Sequence, residues 1–108
     1  LTELARPGMS YAEIADAIGT LPDEYRNNRY TCLAHGVGLC DEYPDIHWQE
    51  DFANHGFDDH LRENMTICVE AYFGADGGHE GVKLEEQLLI TADGAETLSA
   101  YPFEEHFL

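Results

Sequence analysis

The sequence predicts an α+β domain, and two observations lead to that class. Residues 63–72 and 81–90 each alternate apolar and polar side chains, interrupted by Glu86 on the apolar face of the second segment, which is the period-two pattern of a half-buried strand. Gly77-Gly78 lies midway in the segment between them, so the two strands are expected to form an antiparallel hairpin that turns there. Residues 10–13 (Ser-Tyr-Ala-Glu) have the spacing of a capping box that opens a helix.

Two helical segments are expected near the N-terminus. Residues 1–6 have a helical composition, and Pro7 breaks the segment. A second helix begins after Ser10 as N-cap, directs its apolar residues towards a core and ends at Gly19 as C-cap. Residues 21–28 then form a polar connection.

The middle of the chain is less regular. Residues 29–35 are apolar enough for a short strand that leads into a glycine-containing loop. Residues 41–61 show no clear period and are interpreted as a long loop, a kind of segment that often covers a site. Residues 92–94 (Ala-Asp-Gly) predict a turn, residues 95–100 a short strand, and residues 101–108 a natural C-terminus.

Composition restricts the possible partners and compartment. The 108 residues are enough for one small domain, and they carry 22 acidic and 5 basic side chains for a net charge of -17. Nucleic acid is therefore not an expected partner, because binding it requires clustered Lys and Arg. No apolar run reaches membrane-spanning length, so a membrane is not expected either. The odd number of cysteines (Cys32, Cys40 and Cys68) without a Cys-x-x-Cys pair favours reduced thiols in a cytoplasmic protein.

The hairpin raises an electrostatic question. If the turn centres on Gly77-Gly78, residues whose numbers add to 155 stand opposite each other, which pairs Glu70 with Glu85. Like charges directly opposite each other destabilise a sheet, so a cation or a shared proton should lie between them. The alternative is a longer loop with a shifted register, in which both glutamates are solvated.

His35 suggests what that cation could be. It lies in the run His35-Gly-Val-Gly-Leu-Cys-Asp-Glu, and imidazole and carboxylates together suit iron, zinc or manganese. A two-metal site needs about five or six protein ligands, and no Asp pair on one strand completes such a set here. On chemistry alone, the residues supply half of a metal site. The alternative interpretation of His35 as an ordinary loop residue stays open.

The motifs, taken in order, resemble the C-terminal half of the pita-bread metallopeptidase family, which includes prolidase, aminopeptidase P, methionine aminopeptidase and creatinase. The resemblance covers nearly the whole chain. It rests on five ordered segments: His35-Gly-Val-Gly-Leu39, Glu63-Asn-Met-Thr-Ile-Cys-Val-Glu70, Gly81-Val-Lys-Leu-Glu85, Leu89-Ile-Thr-Ala-Asp-Gly94 and Thr97-Leu98.

The resemblance implies a dinuclear centre built by two Asp, one His and two Glu in chain order. His35, Glu70 and Glu85 match the last three ligands, and the two ions would be divalent or trivalent iron, zinc, manganese or cobalt. The two Asp would precede Leu1, so residues 1–108 are expected to be a single fragment, the C-terminal part of the catalytic domain. The implied fold is a curved antiparallel sheet with helices on one face, and the full-length protein is expected to be a homodimer.

Two departures from the peptidase pattern argue against peptidase activity. The second His, about seven positions after the first, is replaced by Glu42, and the Arg two residues before the last Glu is Lys83. The run from His35 to Glu42, with the long insertion that follows it through His55-Gly56, more closely resembles the dimethylsulfoniopropionate lyases of marine bacteria. In that branch the Asp six residues after His35 is the proposed base, which matches Asp41, and an aromatic residue in the substrate pocket matches Tyr30.

The predicted activity is a metal-dependent carbon–sulfur lyase that converts a small molecule, dimethylsulfoniopropionate, to dimethyl sulfide and acrylate. An Xaa-Pro metallopeptidase is the first alternative, which the missing second His argues against. The second alternative is a metal-free family member or an inactive fragment without enzymatic activity. For Asp41, the alternative of a turn-capping role stays open. For Tyr30, the alternative of ordinary packing stays open as well.

Overall fold

The computed structural model describes residues 1–102, Glu104 and His106. Within them, five antiparallel strands form one sheet in the order β2-β1-β3-β4-β5, accompanied by two α-helices and a short 3₁₀ helix, so the predicted α+β class is confirmed. The elements in chain order are α1 (Tyr11–Ile18), the 3₁₀ helix (Asp23–Tyr25), β1 (Cys32–Val37), β2 (Asp41–His47), α2 (Gln49–His55), β3 (Thr66–Phe73), β4 (Val82–Ile90) and β5 (Ala95–Thr97).

Helix α1 begins at the predicted capping box. The Ser10 hydroxyl accepts a hydrogen bond from the Glu13 backbone N–H at 3.1 Å, and the Ser10 N–H donates to the Glu13 carboxylate at 2.8 Å. The helix ends at Gly19, which adopts a φ of 79°, a value that glycine takes without strain. The Gly19 N–H donates to the Ala15 carbonyl. The predicted second helix and both of its caps are therefore confirmed.

Residues 1–6 form only a hydrogen-bonded turn, so the helix predicted there is wrong. The N–H groups of Leu4 and Ala5 both donate to the Leu1 carbonyl at 2.9 Å. Pro7 limits the segment to six residues. A helix this short forms too few hydrogen bonds to offset the cost of nucleation.

The long loop predicted over residues 41–61 is also wrong, because this segment contains β2 and α2. Strand β2 is at the edge of the sheet, is exposed over its first three residues and carries Pro44, so its sequence does not alternate clearly. Helix α2 has no fully buried residue, and therefore no apolar stripe marks it in the sequence. The strand predicted over residues 29–35 is observed slightly later, at Cys32–Val37.

The β3–β4 hairpin has the predicted register. Thr66 pairs with Leu89, Glu70 with Glu85 and, near the turn, Phe73 with Val82. The two glutamates thus face each other across the ladder, and the alternative of a shifted register does not occur.

The last strand is shorter than predicted. β5 covers residues 95–97 rather than 95–100, and a turn at residues 92–94 precedes it, closed by a hydrogen bond from the Thr91 N–H to the Gly94 carbonyl. The prediction that residues 101–108 form a natural C-terminus includes Phe103, Glu105, Phe107 and Leu108, which lie outside the described residues.

The core lies on one face of the sheet, where α1 packs. Its largest fully buried side chains include Ile14 of α1, Ile46 of β2, Ile67 of β3 and Leu88 of β4. Ile67 and Leu88 are directly paired, whereas the Glu70–Glu85 pair is three residues further along β3. Because side chains alternate between faces, the glutamates project from the face opposite the core. None of the described helices is long and apolar enough to cross a membrane.

Candidate metal centre

Three neighbouring strands bring His35, Glu70 and Glu85 together on this second face. His35 of β1 pairs with Cys68 of β3, which is two residues before Glu70, and Glu70 pairs with Glu85 of β4. The Nε2 atom of His35 lies 3.0 Å from the Glu70 Oε2 atom, and both side chains are mostly buried. Sheet pairing alone therefore brings together the three candidate ligands that the sequence suggested.

Lys83 supplies a cation between the two glutamates. Its Nζ atom lies 2.6 Å from Glu70 Oε1 and 3.6 Å from Glu85 Oε1. Lys83 precedes Glu85 by two residues on β4, so both side chains project from the same face. Its hydrogen bond is the largest influence that lowers the pKa of Glu70, and the same contact raises the pKa of Lys83. The expected cation is thus present as an ammonium group of the chain itself.

The hydrogen bonds of His35 determine which ring nitrogen is available. Nδ1 lies 2.9 Å from the Gly36 carbonyl oxygen, which can only accept, so Nδ1 carries the proton. Nε2 lies 3.0 Å from the Glu70 carboxylate, which also only accepts, so Nε2 donates to Glu70 and would have to release that proton to bind a metal ion. Burial is the largest single influence and lowers the pKa of His35. The Gly36 carbonyl, Glu70 and Asp41 together outweigh it, so that the pKa is raised overall.

An open cleft of about 660 Å³ lies over these residues, and all five predicted site residues line it: Tyr30, His35, Asp41, Glu70 and Glu85. The Asp41 side chain is 91% exposed, and its Oδ1 atom lies 3.9 Å from His35 Nδ1. The Tyr30 ring packs against the Tyr72 ring in a tilted arrangement, with centroids 5.0 Å apart and the planes at 39°, and Lys83 Nζ lies 5.7 Å from the centre of the Tyr30 ring. The structure thus places all five side chains around one space.

Sequence reasoning missed Cys68, which it treated as an ordinary reduced thiol. Ligand atoms of Cys68, His35 and Glu85 all lie within 4.8 Å of one another. Burial raises the pKa of the Cys68 thiol to about 11, and the nearby carboxylates of Glu85 and Glu70 add to the rise. Its position two residues before Glu70 on one strand was the signal that could have found it, because such residues share a face.

The donors present fit a metal ion. One imidazole nitrogen, once it has released its proton, and two carboxylates are a ligand set that iron, zinc and manganese accept. The carboxylates face each other across the ladder and already hold one positive charge, that of Lys83. A metal ion bound to Glu70 would take the place of that ammonium group.

Comparison with known proteins gives this arrangement a family context. The sequence profile of metallopeptidase family M24 matches residues 1–92. Dimethylsulfoniopropionate lyase DddP of Roseovarius nubinhibens is 40% identical over 102 residues, which are 94% of this chain and 23% of the lyase. Xaa-Pro dipeptidase of Pyrococcus furiosus is 33% identical over 102 residues, which are 90% of this chain and 26% of the dipeptidase. The chain thus spans about a quarter of the length of the curated relatives it matches.

The fold agrees with the sequence comparison. The solved prolidase from Pyrococcus furiosus superposes with a TM-score of 0.67 at 30% identity, covering 94% of this chain and 28% of the prolidase chain. Members of the family are metal-dependent enzymes, and the resemblance predicted from the motifs is confirmed. By profile, by sequence identity and by fold, the chain belongs to metallopeptidase family M24.

Proposed function

We propose that this chain is the C-terminal part of a metal-dependent carbon–sulfur lyase that converts dimethylsulfoniopropionate to dimethyl sulfide and acrylate. The observation that carries the proposal is an exposed carboxylate, Asp41, that lines one cleft with His35, Glu70 and Glu85. The 40% identity to a dimethylsulfoniopropionate lyase supports the same reaction.

His35 Nε2, Glu70 and Glu85 are proposed to hold two divalent or trivalent metal ions together with ligands outside this chain. A dinuclear centre needs about five or six protein ligands, and these residues supply three. When bound, the ions would act as Lewis acids that hold the substrate carboxylate and acidify the adjacent C–H bond. Lys83 would swing away from Glu70, and the cleft is open enough to receive its side chain.

Asp41 is proposed as the general base. An Oδ atom of Asp41 accepts the proton from the carbon next to the substrate carboxylate. The electron pair of that C–H bond forms the carbon–carbon double bond of acrylate, and the carbon–sulfur bond breaks with its electrons going to dimethyl sulfide. Asp41 has few contacts to lose when it turns towards a substrate, because it is the first residue of the edge strand β2 and its side chain is exposed.

Tyr30 is proposed to contact the sulfonium group. A cation is attracted to the face of an aromatic ring within about 6 Å, and the ring of Tyr30 already has the Lys83 ammonium at 5.7 Å. Glu42 and Asp45 add negative charge to the same wall of the cleft. A positively charged leaving group therefore suits this cleft better than an anionic one.

An Xaa-Pro metallopeptidase is the second candidate, because the dipeptidase of Pyrococcus furiosus is 33% identical to the chain. Glu42 argues against it. Peptide hydrolysis passes through an anionic tetrahedral state, which hydrogen-bond donors and positive charge stabilise and a nearby carboxylate repels. Glu42 lines the cleft beside Asp41, so the cleft offers a carboxylate where the peptidase pattern has an imidazole.

Headspace gas analysis of the full-length, metal-loaded protein tests the proposal. We expect dimethyl sulfide from dimethylsulfoniopropionate and no turnover of proline dipeptides. Asp41→Asn should lower the rate by about 10²- to 10⁴-fold, the usual contribution of a general base. Asp93→Asn removes the same charge at an exposed turn residue that does not line the cleft, and it should keep the activity. No dimethyl sulfide from a metal-loaded sample would contradict the proposed reaction, and turnover of the dipeptides would favour the peptidase.

A further inference from the structure

We infer that Cys68 is a thiolate ligand of the metal centre and forms, with His35 and Glu85, a site with one nitrogen, one sulfur and one oxygen donor. The inference rests on the metal centre of the proposed function and extends it to a residue with different chemistry. The ion it would take is a borderline-soft divalent metal such as zinc, cobalt or iron.

The sheet places the three donors on adjacent strands. Cys68 of β3 pairs directly with His35 of β1 and with Gln87 of β4. Glu85 precedes Gln87 by two residues and therefore projects from the same face. Because the backbone register fixes these neighbours, the convergence of the side chains does not depend on a flexible loop.

The distances allow a single ion to contact all three donors. The ligand atoms of His35, Cys68 and Glu85 lie within 4.8 Å of one another. Zinc–sulfur bonds are about 2.3 Å and zinc–nitrogen bonds about 2.0–2.1 Å, so at the tetrahedral angle the sulfur and nitrogen donors lie about 3.6 Å apart. Side-chain rotations that bring the donor atoms about 1 Å closer together would close the site.

Ordinary packing does not account for the position of this thiol. The side chain of Cys68 is 4% exposed, but it points away from the apolar core that the adjacent Ile67 enters. Its sulfur has only long contacts, 3.9 Å to Glu85 Oε1 and 4.0 Å to the Val69 carbonyl. A buried thiol aimed at an imidazole and a carboxylate thus has room for a stronger partner.

Binding would exchange a proton for the metal. The Cys68 thiol loses its S–H proton to solvent, and the sulfur electron pair forms the bond to the ion. No oxidant or reductant is involved. A thiolate donor favours zinc, cobalt and iron over manganese and magnesium, which prefer oxygen donors. Cys68 would therefore restrict which metal ion the site binds, because imidazole and carboxylates alone accept a wider range of metals.

Cobalt(II) titration of the metal-free, full-length protein tests this ligand directly. Visible absorption reports cobalt bound by protein ligands, and a near-ultraviolet charge-transfer band reports a thiolate bound to it. We expect both signals in the unmodified protein. Cys68→Ser should abolish the charge-transfer band and keep the visible bands. The matched controls Cys32→Ser and Cys40→Ser should keep both.

The outcomes separate this inference from the proposed function. Visible bands without a charge-transfer band, or a band that persists in Cys68→Ser, would overturn the thiolate ligand and leave the metal centre intact. The absence of any cobalt spectrum would overturn both. X-ray absorption of the zinc-loaded, unmodified protein needs no variant, and it should show a sulfur neighbour at about 2.3 Å. A shell of nitrogen and oxygen alone would overturn the inference even if Cys68→Ser does not fold.

Discussion

Leu88→Ala should destabilise the protein strongly, because this side chain lies at the centre of the core behind the candidate metal centre. Leu88 is 0% exposed and pairs across the hairpin with Ile67, which is fully buried as well. Burial of a leucine side chain contributes about 1.5–3 kcal/mol, and the cavity left by its removal adds to the loss. We expect a loss of about 3 kcal/mol in the free energy of unfolding, within the range of about 2–5 kcal/mol typical of such deletions.

Leu84 provides a matched control on the same strand. It lies four residues before Leu88 and projects from the same face of β4, but its side chain is 40% exposed. Leu84→Ala removes the same atoms without opening an enclosed cavity, so its cost should be about 1 kcal/mol or less. The difference between the two variants measures the burial that the structure assigns to each position.

Urea unfolding followed by circular dichroism gives both values under one set of conditions. The midpoint of Leu88→Ala should fall well below that of the unmodified protein, and Leu84→Ala should stay close to it. Equal losses for the two variants would refute the assignment of the core to this end of the hairpin. A larger loss for Leu84→Ala would place the core near the turn instead.

Three further predictions concern other parts of the molecule. Ser10→Ala removes the capping hydroxyl of α1 and should cost about 1 kcal/mol of stability in urea unfolding. Iodoacetamide at about pH 8 should alkylate the exposed Cys40 well before Cys68, whose pKa burial raises to about 11, as peptide mass spectrometry would show. The hydrogen bond from Arg62 lowers the pKa of Asp59, so this pair stabilises the fold above about pH 4 and the effect is lost as the pH falls through the folded-state value. Arg62→Gln should therefore lower the urea midpoint at neutral pH. In acid, the midpoint of the variant should approach that of the unmodified protein.

The hairpin could be predicted from the sequence because its determinants are local. The strands alternate clearly, and the glycine pair marks the turn, so the pairing of Glu70 with Glu85 follows from counting residues. The capping box of α1 was local in the same sense. Elements of this kind need no knowledge of the rest of the fold.

Strand β2 and helix α2 could not be predicted in the same way, since tertiary contacts rather than sequence pattern define them. Three of the seven residues of β2 are exposed at its start, and it is held by its pairing with β1. Helix α2 is attached partly through ion pairs, such as that of Glu50 with Arg29 at 2.8 Å. Neither feature leaves an apolar period in the sequence.

The candidate site was predicted in part. The five residues named from the motifs line one cleft, but their roles stay predictions until activity is measured. The counter-cation of the glutamates, Lys83, and the thiol proposed as a further donor, Cys68, became evident only when the register placed them on the same face. Sequence spacing showed which residues share a strand, whereas the distances across strands required the structure.

Metal content and dimethyl sulfide release, measured together on full-length Glu85→Gln and Glu86→Gln, test the metal centre most directly. Glu85 lies in the cleft, and its neighbour Glu86 projects from the opposite face of β4, so the two substitutions change the same group one residue apart. We predict that Glu85→Gln loses bound metal and dimethyl sulfide release, while Glu86→Gln keeps both. Full metal content and full activity in Glu85→Gln would contradict the assignment of the facing glutamates as metal ligands.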